Sequence, residues 1–208
     1  FLLKNTEELT PQRICEYIKM HRTYLSARYK RLEDYYEGRH DILLRQPKRR
    51  DDPCNNLMCN YAKYITDIGS GFLIGEPISY QSDEEDLTDL LEWYNAAEVD
   101  VQDSDNAEDQ SIFGVAYELV YMSSDESPTP KTASIHPSQG FVIYNNTVEL
   151  IPVAGVYYYE NHDPITQEIT SYTVETSTDT EYIRFNVTAE YAVDGEPTTK
   201  ENPFGMVT

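Results

Sequence analysis

Three cysteines and four histidines are the first residues to weigh for metal or nucleophilic chemistry. Cys54 and Cys59 stand five apart, Cys15 is remote, and His21, His40, His136 and His162 are scattered, so no zinc set with a recognisable spacing forms. No histidine accompanies a serine or cysteine in a known nucleophile motif. Gly69-Ser70-Gly71-Phe72-Leu73-Ile74-Gly75 is glycine-rich, yet it lacks the G-x-G-x-x-G spacing and the Lys-Ser/Thr pair of a phosphate loop. The abundant carboxylates offer pairs everywhere, none with the spacing of a calcium loop. The sequence therefore predicts no catalytic residue, no metal ligands and no cofactor.

What remains is chemistry of contact. The proline-bracketed loop Arg45-Gln46-Pro47-Lys48-Arg49-Arg50-Asp51-Asp52-Pro53 carries four basic residues. It reads as a solvated connector, as a phosphate contact, or, through Arg45, Lys48, Arg49 and Arg50, as a basic edge that meets an acidic surface on another copy of the chain. The net charge of −21 is unevenly spread, with 13 of the 16 Lys and Arg but only 9 of the 37 Asp and Glu falling in residues 1–63. Residues 64–208 are thus strongly acidic and repel phosphate, which excludes a nucleic-acid grip based on charge neutralisation. Tyrosine is abundant, with 18 residues including Tyr157-Tyr158-Tyr159. It suits both strands and protein interfaces, and adjacent tyrosines on a strand must point to opposite faces.

The elements that would position these residues can be read from periodicity. Thr10-Pro11 starts a helix whose apolar seam, Ile14, Ile18, His21, Leu25, Tyr29, Leu32 and Tyr36, runs to a stop at Gly38. His21 falls on that seam as a packed or half-buried residue. Leu57, Tyr61, Ile65, Ile68 and Phe72 predict a second helix, Pro77–Tyr80 a short strand, Asp83–Asn95 a third helix, and Val101–Ile112 a fourth that breaks at Gly114. After a strand at Val115–Tyr121 and a loop at Ser123–Pro130, the segments 140–144, 149–159, 168–175 and 182–187 are rich in Val, Ile, Thr and Tyr and read as strands, with turns at Asn145-Asn146 and His162-Asp163-Pro164. Helices followed by an antiparallel meander predict an α+β fold, one region from 1 to 208, helical over 10–113 and mainly β over 114–208. No apolar run is long enough for a membrane span, and Phe1-Leu2-Leu3 is too short for a signal-peptide core, so a soluble protein made in a cytoplasm is expected.

Several segments, in order, resemble the portal proteins of long-tailed double-stranded-DNA phages of Gram-positive bacteria. They are Tyr35-Tyr36-Glu37-Gly38-Arg39-His40-Asp41-Ile42-Leu43, Asn60-Tyr61-Ala62-Lys63-Tyr64-Ile65 running on to Gly75-Glu76-Pro77-Ile78-Ser79-Tyr80, Ser111-Ile112-Phe113-Gly114-Val115-Ala116-Tyr117-Glu118, and Asn202-Pro203-Phe204-Gly205. The resemblance implies a non-enzymatic subunit of a ring, usually of twelve, at a capsid vertex of the virion, assembled in the host cytoplasm. Its implied partners are further copies of itself, the terminase motor, capsid or scaffold proteins and head-tail connector proteins, with double-stranded DNA passing through the ring. The chain would be the peripheral wing; the stem, clip and crown are expected to lie outside it. An acidic nucleic-acid-processing enzyme and a stand-alone binding module are the alternatives from other classes.

Overall fold

The protein was analysed as a computed structural model that describes residues 1–3, 8–47, 49, 53–83, 85–123 and 128–207. Its architecture is α+β, and the chain divides into two compact units: Phe1–Ser26 with Tyr117–Thr208, and Ala27–Ala116. The first unit takes in the start of the first helix, whose apolar seam is buried among the side chains of its strands.

In the first unit, strands β1 (Leu2–Leu3), β4 (Gly140–Asn145), β5 (Pro152–His162), β6 (Ile169–Ser177), β7 (Glu181–Thr188) and β8 (Val193–Glu201) form one sheet in that spatial order, with β1 parallel to β4 and the rest antiparallel. A separate hairpin pairs β2 (Tyr117–Met122) with β3 (Pro130–Ile135). Alternation selects the inward residues: Ala154, Val156 and Tyr158 on β5, Tyr172 and Val174 on β6, Phe185 and Val187 on β7. Helix α1 (Pro11–His21) lays Ile14, Ile18 and Tyr17 among them. Thr10 caps it by accepting the Arg13 N–H at 3.3 Å, with Pro11 in the first turn. The tyrosine triplet behaves as its spacing requires. Tyr158 is buried, whereas Tyr157 and Tyr159 share the other face with ring centroids 5.7 Å apart.

His21 is wholly buried, as its place on the seam suggested. Its Nδ1 shares a 2.8 Å hydrogen bond with the Tyr158 hydroxyl, which also donates to the Ser138 carbonyl at 2.9 Å. After His21 the helix changes hydrogen-bond register in a π segment, Arg22–Ser26, before resuming as α2 (Ala27–Tyr36). Arg22 opens that segment paired to Glu160, with its guanidinium 5.0 Å from the Tyr172 ring centre.

The second unit holds α2, α3 (Tyr61–Leu73), α4 (Thr88–Ala96) and α5 (Val99–Phe113), with a 3-10 turn at Asp41–Leu44. Gly38 at φ +82° and Gly114 at φ +78° terminate α2 and α5 in the left-handed region, as their positions in the sequence suggested. Two expectations fail. Pro77–Tyr80 forms no strand; Tyr80 instead packs its ring 4.9 Å from Tyr94, and strand propensity without a partner strand forms no ladder. Helix α3 starts at Tyr61 and not at Leu57, since Asn60 supplies the cap by accepting the Lys63 N–H at 3.1 Å. Strands β1, β3 and β8 were not foreseen. The polar β8 faces Phe185 with a bulge between Arg184 and Asn186, where Gly195 at φ +80° and Pro197 interrupt the pairing.

Burial pushes the His21 imidazole down to about 4, against an ordinary 6.5. Below pH 6.5 the unfolded chain takes a proton that the folded chain refuses, so this contribution is complete above pH 6.5 and is lost as pH falls toward 4, by up to on the order of 3 kcal/mol. Urea denaturation midpoints should therefore fall between pH 6.5 and 4, and His21→Gln should flatten the slope in that window. An unchanged slope in the variant would show that other groups cause it.

Candidate functional site

The second unit has a small core. Among the described residues its buried apolar side chains are Tyr29, Val99, Ala107 and Phe113, with Tyr29 and Phe113 meeting edge to face at 5.8 Å. Helix α3 faces that core with small residues: Thr66 is buried and accepts the Ser111 hydroxyl of α5 at 3.3 Å, and Ala62 and Ser70 are half-buried one turn to either side. Small side chains let helices approach closely, and they leave the large ones elsewhere. Phe72 is 92 % exposed, Tyr61 67 %, Ile65 66 % and Ile68 54 %, and Tyr64 is exposed beside them. At about 100° per residue these five side chains occupy a sector roughly 100° wide on the side away from Thr66.

The flank of α3 is fixed by polar contacts. Asn60 Nδ2 donates to the Tyr36 carbonyl at 2.8 Å, and Lys63 Nζ donates to the Tyr36 hydroxyl at 2.8 Å while lying 3.3 Å from Asp67. The hydrogen bond to Tyr36 holds the lysine above its usual pKa. Between α2, α3 and α5 lies a groove of about 470 Å³, with Leu32, Ile65 and Ile112 on its walls and Arg28 and Arg31 in its lining. Arg31 reaches Asp41 at 3.2 Å.

Of the four basic residues singled out in the sequence, Arg45 and Arg49 are exposed, and Lys48 and Arg50 lie outside the described residues. Asn56 holds the base of the loop together: its Nδ2 donates to the Arg45 carbonyl at 3.0 Å, and its Oδ1 accepts from the Cys54 thiol at 3.2 Å. Cys15 is buried, and that burial pushes its thiol up to about 11. His40 stacks on Tyr35, His136 bonds to Ser138, and His162 stands 3.2 Å from Glu160. Among the described residues no group of three or more His, Cys, Asp or Glu is placed to hold a metal ion, and no helix is long and apolar enough to cross a membrane.

The sequence marked Tyr61, Ile65, Ile68 and Phe72 as the apolar side of a helix but not that this side faces water. The signal was present on the other side, where Ala62, Thr66 and Ser70 recur every four residues as a second, small-residue face suited to close packing.

Helix α3 thus presents a contiguous exposed apolar face rather than singly scattered surface hydrophobics. Residues 16–207 match the family model described as phage portal protein, SPP1 Gp6-like. The chain belongs to that family of structural phage proteins. No curated protein matches it.

Because Phe72 stands in water and Phe113 does not, truncating each should have opposite outcomes in the isolated chain. Phe72→Ser should change unfolding stability by no more than about 0.5 kcal/mol, and Phe113→Ala should cost about 3–5 kcal/mol. Chemical denaturation followed by circular dichroism measures both. A large loss for Phe72→Ser would mean that α3 uses this face within its own unit.

Proposed function

We propose that this chain forms the wing of a portal subunit, twelve copies of which build a ring at one capsid vertex of the virion in the host cytoplasm. Double-stranded DNA passes through the ring during packaging and ejection. The subunit supplies geometry and no chemistry: the terminase motor drives the DNA, and the same ring later carries the head-tail connector proteins. The observation that carries this reading is the match of the portal family model to residues 16–207. Support comes from the apolar α3 face, since a subunit that works through contacts must present such surface before it assembles. Acidity fits as well. A chain of net charge −21 does not hold DNA back through phosphate contacts. Negative-stain images of the full-length product should show rings with a central hole; monodisperse particles without a hole would reject the reading.

A ring closes only through head-to-tail contacts, in which each copy offers two different complementary surfaces. Arg45, Lys48, Arg49 and Arg50 form the basic side of one such contact, and the acidic surface contributed by residues 64–208 the other. Exposed pairs of this kind add about 1 kcal/mol or less each and act mainly on encounter and register. Replacing Lys48, Arg49 and Arg50 by Glu in the full-length protein should slow ring formation and weaken its salt dependence, with the circular dichroism spectrum unchanged. Equal assembly rates across a salt series would leave the loop a solvated connector.

A further inference from the structure

The basic loop accounts for steering but not for holding, because rim charges are screened. The outward face of α3 is different in kind. Tyr61, Tyr64, Ile65, Ile68 and Phe72 run for about 17 Å along the helix with no charged residue among them. Three aromatic rings and two isoleucines, each more than half exposed, present on the order of 700 Å², close to the roughly 800 Å² that one partner gives to a standard interface. Lys63 and Asp67, the charged residues of the helix, sit to one side and pair with each other.

We infer that this face of α3 is the surface on which a second copy of the chain docks, an assignment that rests on the ring reading given above. Two arguments select a second copy. The area is that of a full interface and not of a small-ligand cleft. The face also lacks carboxylates in a chain of net charge −21, so it is where two such copies can come together without bringing like charges into contact. Ring closure requires that α3 meet a different patch on its neighbour and not a second α3.

The test uses the full-length protein with Cys54→Ser and Cys59→Ser, which leaves Cys15, a buried thiol, in place. In that background Phe72→Cys is treated with a maleimide, in unassembled subunits and in assembled rings. The thiol should react freely in the subunits and at least tenfold more slowly in the rings. In parallel, p-benzoylphenylalanine in place of Phe72 should give, on irradiation of rings, a product of twice the subunit mass containing only this chain.

Equal reaction rates in the two states would overturn the assignment. So would protection already present in unassembled subunits, or a crosslink confined to one chain, since either would mean that another part of the same polypeptide covers the face. The two readings separate cleanly. If the protein forms no rings but irradiation still yields the dimeric product, the ring fails and the docking surface stands; if neither forms, both fail.

Discussion

The first unit depends on one long-range contact, the seating of the α1 seam on the sheet. Ile14, Ile18 and His21 belong to a helix near one end of the chain, and Tyr158, Val174 and Phe185 to strands more than a hundred residues later. Remove the helix and the inward faces of β5, β6 and β7 stand open to water; remove the sheet and α1 is a short amphipathic helix with little reason to persist alone. His21 shows how closely the two are fitted. A polar ring can be wholly buried there because the Tyr158 hydroxyl is placed to meet it, and that hydroxyl is in turn tied to the Ser138 backbone.

The segments that carry the family resemblance prove to be places where one residue fixes the path of another segment. Within the second unit, Tyr36 receives Asn60 and Lys63, and Ser111 reaches Thr66, so three of the four segments are knotted around α3. In the first unit, Asn202 is buried and its side-chain Nδ2 donates to the backbone carbonyls of Thr178 at 2.5 Å and Met206 at 2.7 Å, while its Oδ1 accepts the Phe204 N–H at 3.0 Å. These are hydrogen-bonded corners, where a change of side chain redirects backbone rather than merely opening a cavity.

The fold was legible where a pattern is local. The α1 seam, the stops at Gly38 and Gly114, and strands β4 to β7 follow from periodicity and turn chemistry, with ends shifted by a few residues. The π segment at Arg22–Ser26 was not legible, because a single change of register leaves the apolar spacing almost intact. Strands β3 and β8 escaped notice because they are polar and gain their shape from a neighbour. Pro77–Tyr80 erred in the opposite way, having strand composition but no neighbour. For the candidate site, periodicity located the apolar side of α3 correctly and left its direction open. Direction is a property of packing, settled by where Ala62, Thr66 and Ser70 can approach α5.

The irregular strand β8 has a further consequence. It is an edge of the six-stranded sheet, and an edge with a continuous row of free backbone groups is a template onto which another chain can zip. Glu196, Lys200 and Glu201 place charge along it, while Pro197 and the bulge at Gly195 break the row of donors. In the proposed ring, this guards against the wrong kind of order. Neighbours are discouraged from adding strand to strand into an open-ended stack, and are left to associate through side chains, whose shape can set an angle and so close a circle.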